Sequence, residues 1–87
     1  MVVFFYIINI FSEVKIVKLT EEDKKFINEN FDEAEDMIRY YDIEGVLITI
    51  AKAIASYGYD EEYDMNEFGE AAQEVYTRIY KNNIDKL

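Results

Sequence analysis

The sequence predicts a small α+β domain that is mostly helical. A strand pair at about 2–11 and 14–19 comes first, then three amphipathic helices at about 21–41, 43–57 and 65–81. Three observations carry this expectation. Residues 2–11, "VVFFYIINIF", are an almost unbroken β-branched and aromatic run, which favours a strand covered on both faces. Apolar residues then recur twice in steps of 4, 3, 4, 3, the signature of one helical face. Helix-starting residues also stand where each stripe begins. The alternative architecture is an all-α bundle with an extended N-terminal arm.

The first segment lacks the basic start and small-residue end of a secretory signal. Ser12, Glu13 and Lys15 interrupt it well short of the about 20 apolar residues of a membrane span. It therefore reads as a buried strand. "VKIVKL" at 14–19 has the same propensities, with Lys15 and Lys18 breaking the run, and "SE" between the two could close a hairpin. An isolated two-stranded sheet is marginal in water, so helices or a second copy of the chain must cover it.

The first helix opens at Thr20 as N-cap, with Glu21, Glu22 and Asp23 in the first turn, where the helix dipole favours anions. Its stripe is Ile27, Phe31, Ala34, Ile38 and Tyr41, and "NEN" at 28–30 is the place where it could divide in two. Asp42 caps the second helix, whose stripe is Ile43, Leu47, Ile50, Ile54 and Tyr57; Val46, Ala51, Ala53 and Ala55 widen it. Gly58 is expected to end it in the left-handed region. The third helix follows an aspartate capping box, Asp64 with Glu67, and buries Phe68, Ala72, Val75 and Ile79; Asn82 and Asn83 end it.

The 87 residues make one domain, residues 1–87, with no Cys and no His. Thiolate and imidazole chemistry, disulfides and the commonest metal ligands are thereby excluded. The lack of a disulfide framework makes a cytoplasmic location the simpler expectation. The net charge is −10, and residues 21–74 hold 17 acids against four bases, a local −13. That field repels nucleic acid and anionic membrane and attracts basic protein surfaces.

The acidic stretch at 57–76 invites a metal or catalytic reading. An EF-hand register starting at Asp60 places Glu62 and Asp64 correctly, but puts Met65 where glycine is needed and Ala71 where the closing carboxylate belongs. Carboxylate-pair catalysis needs a cleft that a chain of this size scarcely builds, and no glycine-rich loop is present to hold phosphate. The expectation is a non-enzymatic protein with no cofactor and no metal.

A binding role remains. Glu61, Glu62, Asp64, Glu67, Glu70 and Glu74, with Tyr59 and Tyr63 as an exposed aromatic pair, form the candidate face. Glu22, Glu29, Glu33 and Asp36 are a secondary set on the first helix. Carboxylates three or four residues apart on a helix stand about 5–6 Å from one another, a spacing comparable to phosphates along a strand. The leading expectation is an acidic module that imitates nucleic acid and occupies a basic protein such as a nucleic-acid enzyme. In size and charge alone the chain resembles phage-encoded inhibitors of bacterial defence nucleases, the anti-CRISPR proteins among them; no residue motif carries that resemblance. The alternative is a structural protein that self-associates, for example as a homodimer, through its hydrophobic N-terminal segment.

Overall fold

Thr20 begins the helical part as its residue type demands. Its hydroxyl accepts from Asp23 N at 3.0 Å, and the Asp23 carboxylate accepts from Thr20 N at 3.0 Å, a reciprocal capping box. In this computed structural model, which describes residues 17–87, four helices follow: α1 (Glu21–Asn30), α2 (Ala34–Arg39), α3 (Ile43–Tyr57) and α4 (Glu67–Asn82). A 3-10 turn at Ile84–Lys86 comes last.

The α+β expectation is corrected: no strand occurs among the described residues, and helix dominates. Residues 17–19, the described end of the second expected strand, form no ladder. They pair instead with a side chain: Asn83 Oδ1 accepts from Lys18 N at 2.7 Å, and Asn83 Nδ2 donates to Lys18 O at 2.9 Å. One buried amide does for this segment what a neighbouring strand would have done. The expected strand at 2–11 and the beginning of the 14–19 strand lie outside the described residues.

The single helix expected at 21–41 is two. Asn30 Nδ2 donates to Phe26 O at 2.9 Å, a side-chain bond to the carbonyl one turn back at the end of α1. Phe31 then turns extended, at φ −127° and ψ 131°. The interruption shifts the phase of the stripe. Ala34 and Met37 are buried in α2, while Ile38 only packs at the edge of the core.

α3 has the expected bounds, and Asp42 caps it by accepting from Gly45 N at 2.8 Å. Ile43, Val46, Leu47, Ile50 and Ile54 are buried against Ala72, Val75 and Ile79 of α4, and against Ile27, Ala34 and Met37. Tyr57, placed in the α3 stripe, is instead exposed. Ile48, Ala51 and Ala55 also face outward, exposed among the described residues.

The α3–α4 connection corrects two further details. Gly58 is right-handed (φ −87°, ψ 0°), and its lack of a side chain matters for proximity instead. A Cβ there would lie 2.6 Å from Ile54 O and 3.1 Å from Gly69 Cα. The cap of α4 is Asn66 rather than Asp64. Asn66 Oδ1 accepts from Gly69 N at 2.8 Å while its Nδ2 donates to Tyr57 O at 2.8 Å, so one amide closes both helix ends. Asp64 could not supply that donor, and its backbone is already committed to the preceding loop. At the other end Asn83, fully buried, caps α4 with φ −124° rather than in the left-handed region, and its Nδ2 also donates to Ile79 O at 2.8 Å.

Candidate functional site

The surface around the α3–α4 connection is built by one carboxylate turned inward. Asp60 Oδ1 accepts from Glu62 N at 2.9 Å and Asp64 N at 3.0 Å. The Asp60 and Asp64 main chains bond at 2.8 Å, and Tyr63 N donates to Asp60 O at 3.1 Å. An antiparallel bridge between Tyr59 and Met65 closes the neck. Tyr63 takes the left-handed conformation (φ 66°) at the tip, a conformation a bulky residue adopts only when its neighbours impose it. The inside of this loop therefore holds N–H donors around a carboxylate oxygen. That is the reverse of a cation loop, and among the described residues no group of three or more metal-binding side chains converges.

The remaining side chains point away. Glu61, Glu62 and Asp64 are exposed, and Tyr63 is 88% exposed. Tyr59, at 47%, stands at the neck. Glu67, Glu70 and Glu74 are exposed on α4, opposite its buried Ala72, Val75 and Ile79. None of the six acids forms an ion pair within 4.0 Å among the described residues. The set is not uniform, however. Glu70 and Glu74 line an open groove whose far end carries Arg78 and Lys81. The strongly acidic part is the loop and the first turn of α4.

Tyrosines at helix ends are expected to complete the core with their rings, but most of the described ones are exposed. Among the described residues only Tyr41 and Tyr76 pack against the core, whereas Tyr40, Tyr57 and Tyr80 join Tyr59 and Tyr63 at the surface.

Arg78 and Asp23 hold α4 to α1. Asp23 is fully buried, and its Oδ1 accepts from Arg78 Nε at 2.7 Å and Nη2 at 2.6 Å. Those hydrogen bonds raise Arg78 above the ordinary arginine range against the opposing effect of burial, with the charges of Asp23, Glu22 and Glu74 adding to the rise. This pair belongs to the scaffold. Of the secondary acidic set, Glu22 lies 3.7 Å from Arg78, while Glu29, Glu33 and Asp36 are exposed.

A cleft was not anticipated. It opens between the α1–α2 turn, the second half of α3 and Phe68, with a volume of about 690 Å³. Phe31, Ala53 and Phe68 are half-buried within it; Asp32, Glu33 and Lys52 are exposed at its edge. Phe26 braces the two aromatic walls, stacked on Phe68 at 5.8 Å and edge-on to Phe31 at 6.2 Å. The helix break creates this cleft, because it swings Phe31 out of the regular stripe. "NEN" was the sequence signal for it.

The chain matches no protein-family model, no curated protein and no solved structure. Among the described residues no helix is long and apolar enough to cross a membrane.

Proposed function

We propose that the chain is a non-enzymatic protein-binding module whose acidic loop and adjoining first turn of α4 engage a basic protein surface. The observation that supports this reading most is the Asp60-centred loop. It fixes the backbone so that Glu61, Glu62 and Asp64 face solvent together, without ion-pair partners among the described residues. Preorganised carboxylates of one sign steer a basic partner and suppress acidic ones. A partner that normally binds nucleic acid fits best, since its groove is built to receive spaced negative charge.

The test is affinity capture from a nuclease-treated bacterial lysate at about 0.05 M and 0.5 M salt, spanning strong and weak screening. The parent chain should retain a basic nucleic-acid-binding protein at low salt and release it at high salt. The Glu61→Lys, Glu62→Lys, Glu67→Lys variant should retain none. Equal retention by the variant refutes the proposal. Circular dichroism guards the comparison, because a lysine at the first position of α4 opposes the helix dipole by about 0.3–1 kcal/mol.

Self-association is the second reading. The exposed Ile48, Ala51 and Ala55 side of α3 supports it, and sedimentation equilibrium that returns a monomer at all concentrations would dismiss it.

A further inference from the structure

Electrostatic attraction sets encounter rate and orientation, but lasting affinity generally requires a buried apolar anchor in a pocket. The cleft between the α1–α2 turn and α3 has the character of such a pocket. Its volume of about 690 Å³ falls in the range of about 300–1,000 Å³ typical of sites that enclose a ligand. Its half-buried lining is Phe31, Thr49, Ala53 and Phe68, and the Phe26 ring holds both phenylalanine walls in place.

The cleft borders the helix ends that carry the acidic loop. Tyr57, the last residue of α3, and Phe68, the second residue of α4, both line it. Asn66 bonds Tyr57 O and caps the helix that carries Phe68, so the cleft's edge and the loop are fixed by the same side chain. Asp32 and Glu33 extend the negative rim along the other side. Lys52 is the one cation among the described lining residues, and an ammonium at that rim can donate to a peptide carbonyl.

We infer that this cleft receives an apolar side chain, aromatic or branched aliphatic, presented by a basic segment of a protein partner, while the acidic loop holds the lysines and arginines beside it. This inference rests on the acidic-face reading above and adds what that face alone does not contain, an anchor pocket. Charge complementarity selects the flanking residues, and the aromatic lining selects the anchor.

The experiment uses two short lysine- and arginine-rich peptides that differ only in a central Phe or Ala, titrated into the full chain by calorimetry at about 0.05 M and 0.5 M salt. The Phe peptide should bind the parent about tenfold or more tightly than the Ala peptide. Ala53→Trp and, separately, Ser56→Trp fill the cleft. In each, the Phe advantage should fall below about twofold while binding of the Ala peptide is unchanged. Ser56 is exposed, so its variant keeps the test valid if Ala53→Trp disturbs folding. Glu61→Lys with Glu62→Lys should weaken both peptides equally and leave the ratio intact. Equal binding of the two peptides to the parent, or a Phe advantage that survives both filled variants, overturns the anchor pocket and leaves the acidic-face reading standing. Failure of both peptides to bind the parent at low salt removes the acidic-face reading, and the anchor with it.

Discussion

Replacing Gly69 by alanine is the sharpest test of how the acidic loop is anchored, because the usual expectation for that change has the opposite sign. Alanine in a helix is ordinarily favoured over glycine by about 1 kcal/mol. Here the added methyl would lie within the van der Waals sphere of Gly58 O, 2.6 Å from Met65 Cγ and 2.9 Å from the Gly58 carbonyl carbon. Ordinary contact begins at 3.4 Å, so α4 must back away from the end of α3 by roughly half an ångström or more. Overpacking of this kind costs about 1–3 kcal/mol. The retreat also stretches the bonds from Asn66 N to Gly58 O and from Asn66 Nδ2 to Tyr57 O, both 2.8 Å and each worth about 1 kcal/mol.

Gly69→Ala should therefore be net destabilising by about 2 kcal/mol, a fall of about 10 °C in Tm for a domain of this size. The assay is urea unfolding followed by circular dichroism. Gly45→Ala is the control: the nearest atoms to a Cβ there are Asp42 Oδ1 at 3.1 Å and the Tyr41 ring and Cβ at 3.5 Å, so it should change stability by no more than about 0.5 kcal/mol. Should Gly69→Ala prove as stable as the parent, the close crossing at Gly58 and the account of Asn66 as a double clasp are wrong.

Other outcomes follow from the same contacts. Asn83→Ala removes three hydrogen bonds from a fully buried amide and should cost about 3 kcal/mol; the Lys18 amide should lose its protection from hydrogen exchange, and retained protection argues against the tie. Arg78→Met leaves the buried Asp23 carboxylate without its cation and should cost about 3 kcal/mol in thermal or urea unfolding. Since Asp23 raises Arg78 above the ordinary arginine value, the contribution of that shift is fully present below that value and lost only as pH rises through the raised one; the parent's stability between about pH 6 and 9 should carry no step from Arg78. Asp60→Ala removes the acceptor for Glu62 N and Asp64 N and should loosen the loop by about 1–2 kcal/mol, seen as faster proteolysis there, whereas Asp60→Asn keeps the oxygen and should resemble the parent.

Local signals were legible in the sequence where one residue decides the outcome by itself. Thr20 and Asp42 cap because a short oxygen-bearing side chain before an apolar stripe has few better uses, and α3 keeps its bounds because its stripe is unbroken. Choices between neighbours were not legible. Asp64 and Asn66 are both good caps in isolation, and only the folded loop, which occupies Asp64 and presents Tyr57 O as an acceptor, decides for asparagine. Residues 17–19 have strand propensity, but propensity does not say whether the pairing partner is a strand or the amide of Asn83. The exposed acids and Tyr63 were visible as a charged, aromatic stretch. The cleft was not, because it depends on where Phe31 goes once α1 ends, and helical spacing alone would have kept that ring in the stripe.

The bond between Lys18 and Asn83 spans 65 positions of sequence, and that separation has a kinetic consequence. Bringing distant points of a chain together carries an entropy penalty that grows with the logarithm of the enclosed length, whereas α3 and α4 meet across a short connection. The hairpin of α3 and α4 should therefore assemble first and the Lys18–Asn83 tie last. Run in reverse, the same order makes the tie a latch: residues 17–20 can detach from the end of α4 while the α3–α4 pair and its acidic loop remain folded.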